Sequence, residues 1–491
     1  MNTRMRWWLR AMAVVTILAL LLVACQPAAT PVPEEPAEEE EVAEEPAMPE
    51  EEEEPAAPEE EEEPAAPEEE EEPPAAEKAT VTLWMDPPGG GEAATCYATA
   101  VVDPFNEQSD TVFVDLVYQP EAWDAIRTAL AGGAGPDIVD TPGPSFVYEL
   151  VQAGQLMALD DFADEFGWSE LFVPWALSLG EVDGELYSIA DEIETLVLYY
   201  NTAVFDEHGW EPPATWAEVD ALCEEIEAEG IIPFSHGNGD WRPANEWFVG
   251  EYLNHVAGPD KVYQALTGEI PWTDPDFVRA IELLNEHQQK GWYMGGLEFY
   301  YTTGWDDYII ALVSGEAAMK IEGTWVAGGL IEQLETEEYG DNDWDWVPVP
   351  STSGEAIFDI GMGHTWSVNK KAENPRAAVE FLTYFFSPEV QARRLRECDL
   401  VPGPIRLEAD ALEGVDPRIA EMIVALTEAS DAGNYGYTTW TFWPPKSDVY
   451  IYEEIERVWA GEITPEEYLE GLREVFDEEF AAGEMPPIPT R

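Results

Sequence analysis

Basic residues are scarce in this 491-residue chain. Lysine and arginine together number 22, against 103 aspartates and glutamates, and the formal net charge at pH 7 is −81. A surface this acidic repels polyanions and attracts cations. The deficit therefore argues against nucleic acid as a partner and against anionic lipids or phosphorylated solutes as ligands.

Metal-binding patterns are missing as well. The chain has five scattered histidines and four cysteines, and it contains neither a Cys-x-x-Cys nor a His-Glu-x-x-His sequence. Such spacings bring two ligands onto one turn or one helix face, as zinc sites need. We therefore expect no metal site and no cofactor.

Long apolar runs are limited to the amino terminus. Three arginines among the first ten residues precede an apolar stretch at 11–24, which ends at Cys25. This stretch suits the core of a signal peptide and is too short to span a membrane. The order Leu22-Val23-Ala24-Cys25 resembles the lipobox of bacterial lipoproteins. The resemblance implies cleavage before Cys25, acylation of its thiol with palmitate among the chains, and attachment to the outer face of the cell membrane. An ordinary signal peptide with a chance cysteine is the alternative.

The next segment lacks anything that could form a core. Residues 26–78, which we call the tether, have no aromatic residue and hold 24 glutamates and a single lysine among prolines and alanines. Such a composition cannot bury enough apolar surface to fold. Proline stiffness and glutamate repulsion predict an extended, disordered spacer. A solubilising tail without a further role is the alternative.

Three cysteines follow the tether: Cys96, Cys223 and Cys398. Export permits one disulfide among them and leaves one thiol. The residues do not indicate which pair is joined.

The remaining chain, 79–491, alternates strand and helix patterns. Strands are predicted at 79–85, 112–118 and 137–140, with helices at about 93–108 and 121–131. This alternation is typical of an α/β protein with a parallel sheet covered by helices on both faces.

In such sheets ligands bind at the carboxyl ends of the strands. Asp86, Glu121 and Asp140 lie at or near those ends and are candidate ligand-binding residues.

Six motifs along the body are similar to those of one family. They are Ala131–Val139, Asp183–Ile189, Leu198–Asn201, Pro212–Glu218, Gly315–Met319 followed by Gly323-Thr324-Trp325, and Gly461–Glu467. Their order resembles that of the family 1 extracellular solute-binding proteins of ABC importers, the group that includes maltose-binding protein. Glu185 is a departure, because the family often has lysine there.

The resemblance implies a periplasmic-binding-protein-like fold, with two α/β lobes joined at a hinge by crossing strands. The crossings are expected near Glu192–Val197, Ile357–Gly361 and Val401–Pro404. The amino-terminal lobe would then comprise 79–193 with 358–401, and the carboxy-terminal lobe 194–357 with 402–491.

A sugar presents apolar CH faces and a rim of hydroxyl groups, so its site needs aromatic platforms and charged acceptors. Residues in predicted loops, at strand ends and at the hinge supply both. The candidate ligand-binding residues are Asp86, Glu121, Asp140, Glu192, Asp240, Trp241, Trp305, Trp325, Gly363, Trp440 and Trp443. Glu194 is the alternative to Glu192 at the hinge, and Trp84 and Trp216 are interpreted as core.

The resulting hypothesis is a monomeric extracytoplasmic receptor that binds a neutral sugar or oligosaccharide between its lobes and delivers it to an ABC permease. A surface carbohydrate-binding adhesin or sensor accessory is an alternative from a different class. A secreted glycosidase is another, but no motif selects the two opposed carboxylates that it would need. The identity of the solute stays open.

Overall fold

The computed structural model describes residues 78–85, 91–119, 122–334, 339–398, 400–407 and 411–489. Cys25, the tether up to residue 77, Asp86 and Glu121 lie outside these ranges. Among the described residues, no helix combines the length and the apolarity that crossing a bilayer requires.

Most strands of the described chain belong to two sheets. In chain order they are β1 Ala79–Met85, β2 Val112–Tyr118, β3 Ile138–Thr141, β4 Glu181–Val182, β5 Glu185–Leu186, β6 Ser188–Glu194, β7 Leu196–Asn201, β8 Ile232–Phe234, β9 Ala317–Gly323, β10 Trp344–Pro348, β11 Phe358–Val368 and β12 Tyr435–Tyr437. The first sheet has the order β12-β11-β3-β1-β2, with β6 also paired to β11. The second has the order β10-β7-β9-β8, and β4 and β5 form a small hairpin.

Helices cover both sheets. In chain order they are Gly91–Tyr97, Asp103–Gln108, Ala122–Ala131, Pro144–Gln152, Asp160–Phe166, Trp168–Leu171, Pro174–Leu179, Thr202–His208, Trp216–Ala228, Asn245–Tyr252, Pro259–Leu266, Pro275–Lys290, Leu297–Tyr300, Trp305–Val313, Ala327–Leu334, Pro375–Phe385, Pro388–Cys398, Pro417–Ala432, Thr439–Phe442, Pro445–Trp459 and Pro465–Ala482. Turns of π-helix occur at Ala98–Val102 and Leu253–Ala257, and 3₁₀ turns at Arg242–Ala244 and Thr324–Val326.

The first three strands form where the sequence predicts them. In β1 the side chains of Val81, Leu83 and Met85 point into the core, because alternate residues of a strand face opposite sides. β1 pairs in parallel with both β2 and β3, as expected for an α/β sheet. The sheet is mixed rather than wholly parallel, however, since β11 runs antiparallel to β3 and β6.

The long strand β11 connects the two main hydrophobic cores. Its first half, with Ile360 and Met362, packs into the core of the second sheet. Its second half, with Trp366 and Val368, packs into the core of the first sheet. The chain also passes from one sheet to the other between the end of β6 and the start of β7. These crossings divide the body into two α/β lobes, which confirms the two-lobed fold expected from the sequence.

A disulfide joins two distant segments of the described chain. It joins Cys96 to Cys398, which are 302 residues apart in sequence. Cross-links of this kind stabilise small domains by about 2–4 kcal/mol, mainly by restricting the unfolded chain. The pairing that the sequence left open is thereby assigned, and Cys223 remains as a buried thiol.

A buried arginine neutralises the end of β6. Arg394 is 1% exposed, and its Nη1 and Nη2 lie 2.8 Å and 3.0 Å from Asp191 Oδ1 and Glu192 Oε1. Burial raises the pKa of Asp191 to about 7, although Arg394 opposes this shift. Removing one partner of such a group leaves an uncompensated buried charge.

We expect Arg394→Met to lower the free energy of unfolding by about 3–5 kcal/mol, because Asp191 and Glu192 would lose their cation. Urea unfolding followed by circular dichroism measures the change. Arg376→Met is the matched control, since Arg376 pairs with Glu165 at 2.7 Å on the surface and such pairs contribute at most about 1 kcal/mol. An equal decrease in the free energy of unfolding for the two variants would contradict the proposed contribution of the buried ion pairs to stability.

Candidate ligand-binding site

A cavity of about 520 Å³ lies between the two lobes. Residues from helices of both lobes, the end of β6, the turn after β9 and the middle of β11 surround it. The lining residues are Trp123, Arg127, Pro142, Gly143, Phe146, Glu149, Glu194, Trp241, Pro243, Glu246, Trp247, Trp325, Gly363, His364, Trp440, Pro445, Asp448, Val449 and Tyr452. Volumes of roughly 300–1,000 Å³ are usual for small-molecule sites.

Tryptophans form one wall of this cavity. Trp325 contacts Trp247 and Trp440, with ring centroids 5.3 Å and 5.9 Å apart. Trp241 is 47% exposed, an unusual degree for so large a ring. These indoles present apolar faces and edges to the cavity at little conformational cost, because each has only two rotatable side-chain bonds.

Local sequence positions the Trp325 ring. Strand β9 ends at Gly323, and a 3₁₀ turn follows at once. A Cβ atom at Gly323 would lie 2.1 Å from the Trp325 ring. Only glycine therefore lets the indole fold back over its own strand.

Glu194 is the carboxylate nearest the hinge. It is 7% exposed, and its Oε2 accepts a hydrogen bond of 3.0 Å from Trp440 Nε1. A Cβ atom at Gly363, on the neighbouring strand β11, would lie 1.9 Å from Glu194 Oε1. Glycine at 363 thus makes room for this carboxylate.

Burial raises the pKa of Glu194 to about 8, and the neighbouring Glu192 adds to the shift. His364 and the hydrogen bond from Trp440 oppose it. The cavity therefore contains a carboxyl group that favours its protonated form near neutral pH.

Two further acidic residues, Glu246 and Asp448, line the cavity. Glu246 Oε2 accepts a hydrogen bond of 3.2 Å from Thr439, and burial together with Asp448 raises the pKa of Glu246. Burial also raises the pKa of Asp448 to about 6. Both carboxyl groups line the cavity and can exchange hydrogen bonds with a polar ligand.

His364, which lines the cavity, forms an ion pair with Asp140 behind it. Asp140 lies in the buried strand β3, and its oxygens lie 3.1 Å from His364 Nδ1 and 3.1 Å from Trp123 Nε1, which donates to it. Burial lowers the pKa of His364, but Asp140, together with Glu192 and Asp191, raises it to about 10. His364 is therefore a cation beside an otherwise acidic cavity, and Asp140 orients both it and Trp123.

The structure places the predicted site residues in three groups. Trp241, Trp325, Gly363 and Trp440 line the cavity, as does Glu194, the alternative at the hinge. Asp140 supports the wall from behind. The third group comprises residues with contacts elsewhere: Glu192, Asp240, Trp305 and Trp443.

Each member of that third group has another partner. Glu192 binds Arg394. Asp240 Oδ2 accepts a hydrogen bond of 2.9 Å from the backbone N–H of Trp305, at the start of a helix. Trp443 is fully buried, with its ring 5.1 Å from that of Trp272.

Sequence reasoning did not select several lining residues: Trp123, Phe146, Glu246, Trp247, Asp448 and Tyr452. Trp247 and Glu246 belong to the helix Asn245–Tyr252, in which every residue is buried. Such a helix shows no amphipathic period, so its ligand-facing side cannot be read from spacing. The dipeptide Glu246-Trp247 itself, an acid beside an aromatic residue, was the available signal.

Comparisons with known proteins bear on the family and the fold. The family model described as bacterial extracellular solute-binding protein matches residues 100–419. The chain is 23% identical over 278 residues to an uncharacterized ABC transporter extracellular-binding protein of Pyrococcus horikoshii, covering 54% of this chain and 58% of that one. It is 22% identical over 365 residues to a probable sugar-binding periplasmic protein of Brucella melitensis, covering 72% and 81% respectively.

Among solved structures, a chitin oligosaccharide binding protein aligns with a TM-score of 0.69 at 21% identity, over 82% of this chain and 99% of that one. Likeness at this identity shows a shared fold. The family model spans more than half of the chain and includes strands of both sheets. The chain therefore belongs to the family of bacterial extracellular solute-binding proteins.

Proposed function

We propose that this protein is the receptor of an ABC importer and that it binds a neutral sugar or oligosaccharide between its lobes. The observation that carries the proposal is the cavity itself, in which tryptophan rings lie beside buried carboxyl groups. The names of the relatives, an ABC transporter extracellular-binding protein and a probable sugar-binding protein, support the same function.

The chemistry of the cavity suits a carbohydrate. Apolar CH faces of a sugar ring would stack on Trp325 and Trp440, and hydroxyl groups would donate to Glu194 and Glu246. A phosphorylated sugar would meet several carboxylates and only two basic residues, Arg127 and His364. The electrostatics therefore favour uncharged solutes.

Binding would favour the closed form of the two lobes. A ligand that contacts tryptophans of the second lobe and Trp123 or Phe146 of the first stabilises the arrangement that brings these walls together. The closed receptor would then dock on its permease as a monomer. No covalent step is required, so we propose a binding protein rather than an enzyme.

We further propose that a lipid on Cys25 anchors the protein to the outer face of the cell membrane. The lipobox-like tetrad that ends at this residue and the acidic composition of the tether support the proposal. A receptor with a lipid anchor stays near its permease while the tether leaves the body free to sample it.

Trp325→Ala should weaken sugar binding at least tenfold, because the variant loses the stacking surface for the ring. Isothermal titration against a panel of neutral mono- and oligosaccharides measures the affinity. Trp305→Ala is the matched control, since Trp305 does not line the cavity, and it should bind as the wild type does. An unchanged affinity for Trp325→Ala would remove this residue from the site, and release of hydrolysis products during titration would contradict a binding protein.

Glu194→Gln should stabilise the empty protein while weakening the sugar complex. An acid whose folded pKa is raised to about 8 from 4.5 holds a proton that the unfolded chain releases, so stability falls as pH rises through this window. The variant lacks this penalty. Its free energy of unfolding should therefore exceed that of the wild type by roughly 1–3 kcal/mol at pH 8, but by little at pH 4.5. Urea unfolding at both pH values measures the difference.

The same variant should lose about tenfold in sugar affinity at pH 8, because an amide oxygen is a weaker acceptor than a carboxylate. Glu225→Gln, at an exposed helix position, is the control and should change neither quantity. A Glu194→Gln protein that is less stable than the wild type at pH 8 would overturn the electrostatic argument.

Cys25→Ser should release the protein from membranes, because serine cannot carry the thioether-linked and associated acyl chains. Fractionation of expressing cells, with labelled palmitate, would find the wild type in the membrane fraction and the variant outside it. Gln26→Ser serves as the control next to the anchor. Palmitate on Cys25→Ser, or its retention in the membrane fraction, would refute the anchor.

A further inference from the structure

Three buried ionisable side chains that do not line the cavity meet inside the second core. Glu251 lies in the helix Asn245–Tyr252, His255 in the π-helical turn that follows it, and Asp359 at the start of β11. Their exposed fractions are 1%, 2% and 1%. We call these three residues the buried triad.

Distances within the buried triad match those between ligands of one small cation. His255 Nε2 lies 3.1 Å from Glu251 Oε2 and 3.5 Å from Asp359 Oδ1. One ligand atom from each residue lies within 4.8 Å of the others. Tetrahedral ligands at about 2.0–2.2 Å from zinc are separated from one another by about 3.3–3.6 Å.

The imidazole has the orientation of a metal ligand. His255 Nδ1 lies 3.1 Å from the carbonyl oxygen of Val349. A carbonyl can only accept, so Nδ1 carries the hydrogen and Nε2 faces the two carboxyl groups. Metal-bound histidines are commonly held in this way, by a hydrogen bond from the second ring nitrogen.

Four polar atoms of the buried triad form no hydrogen bond within the described part of the chain. They are Glu251 Oε2, His255 Nε2, and both side-chain oxygens of Asp359. Although Nε2 lies close to two carboxyl oxygens, it points at neither in hydrogen-bonding geometry. Buried polar atoms without partners are costly and rare, and one cation among these four would satisfy them all.

The carboxyl group of Asp359 occupies the place that a side chain at position 436 would take. Gly436 of β12 pairs with Asp359 of β11, and a Cβ atom at 436 would lie 1.7 Å from Asp359 Oδ1. The side chain of Asn254 forms two hydrogen bonds with the backbone of Tyr437 in the same strand. It donates to the carbonyl oxygen at 2.9 Å and accepts from the N–H at 3.1 Å. The carboxyl group thus sits in a frame built from backbone.

We propose that Glu251, His255 and Asp359 bind one divalent first-row transition-metal cation. Zinc is the metal with which the proposal is tested. Calcium and magnesium prefer all-oxygen shells, whereas an imidazole nitrogen with carboxylates suits zinc. Asp359 can supply a second oxygen as the fourth ligand. Two carboxylates and a divalent cation also leave the site neutral, which a buried position requires.

The site would be structural. It joins a helix of the second lobe to β11, the strand that runs through both cores. The sequence did not predict it, because only Glu251 and His255 are near each other in the chain and Asp359 comes from a distant strand. The competing explanation is an imidazolium held by two carboxylates; burial lowers the pKa of His255, but Asp359 and Glu251 raise it to about 10.

The test is a refolding experiment, because a buried site loads when the chain folds. The purified protein is unfolded in denaturant with a chelator and refolded with zinc or with chelator, and the folded product is then washed with chelator to strip surface zinc. We expect about one zinc per chain and a melting temperature several degrees above that of the zinc-free protein.

Asp359→Asn should hold less than about a tenth of a zinc per chain and lose the zinc-dependent rise in melting temperature, since it removes one charged ligand. Asp220→Asn is the matched control, because Asp220 Oδ1 also lies 3.1 Å from a buried histidine, His287 Nε2. The Asp220→Asn protein should bind zinc as the wild type does and keep the zinc-dependent rise in melting temperature.

Wild-type protein that refolds without retaining zinc, and that melts at one temperature in zinc and in chelator, would overturn the proposal in favour of the imidazolium. If Asp359→Asn does not fold, refolding the wild type with cobalt decides the matter. A visible absorption band of ligated cobalt supports the site, and its absence together with absent zinc overturns it.

Discussion

The antiparallel pairing of β11 with β6 is the constraint on which the binding site depends. Gly361 to Ser367 of β11 lie opposite Ser188 to Glu194 of β6. The two strands leave the first core side by side and reach the cavity at Glu194 and Gly363. Because strands pair at a fixed spacing of about 4.8 Å, a carboxyl group of this size fits only where the neighbour has no side chain. The same two strands therefore form the hinge and supply Glu194 and Gly363 to the cavity.

Buried charge is concentrated along the same strands. Arg394 compensates Asp191 and Glu192, His364 compensates Asp140, and the buried triad lies at the beginning of β11. Each ionised group in a dry interior needs a partner or a proton. Glu194 has neither a cation of its own nor full exposure, so its pKa is raised. A polar ligand could donate hydrogen bonds to this group, which relates its cost in stability to the proposed binding role.

The sequence predicted local elements well and tertiary contacts partly. Strands at 79–85 and 112–118 match those of the structure, because their alternation and their glycine or proline boundaries are local properties. Trp241, Trp325 and Trp440 were found from turns and from family motifs, and they line the cavity. Trp443 follows a turn in the same way, but three-dimensional packing buries it against Trp272. Turn residues show that a side chain leaves an element, not which neighbour it meets.

From the sequence alone, the α/β class, the order of the family motifs, the acidic surface and the apolar amino-terminal stretch ending at Cys25 could be determined, because each is a property of composition or of near neighbours in the chain. Tertiary structure alone decided three contacts. Cys96 pairs with Cys398, Arg394 forms an ion pair with Glu192, and Glu246 and Asp448 line the cavity. These contacts join residues distant in sequence, and no local pattern records them. The physical reason is that burial, pairing and close approach depend on how whole elements pack.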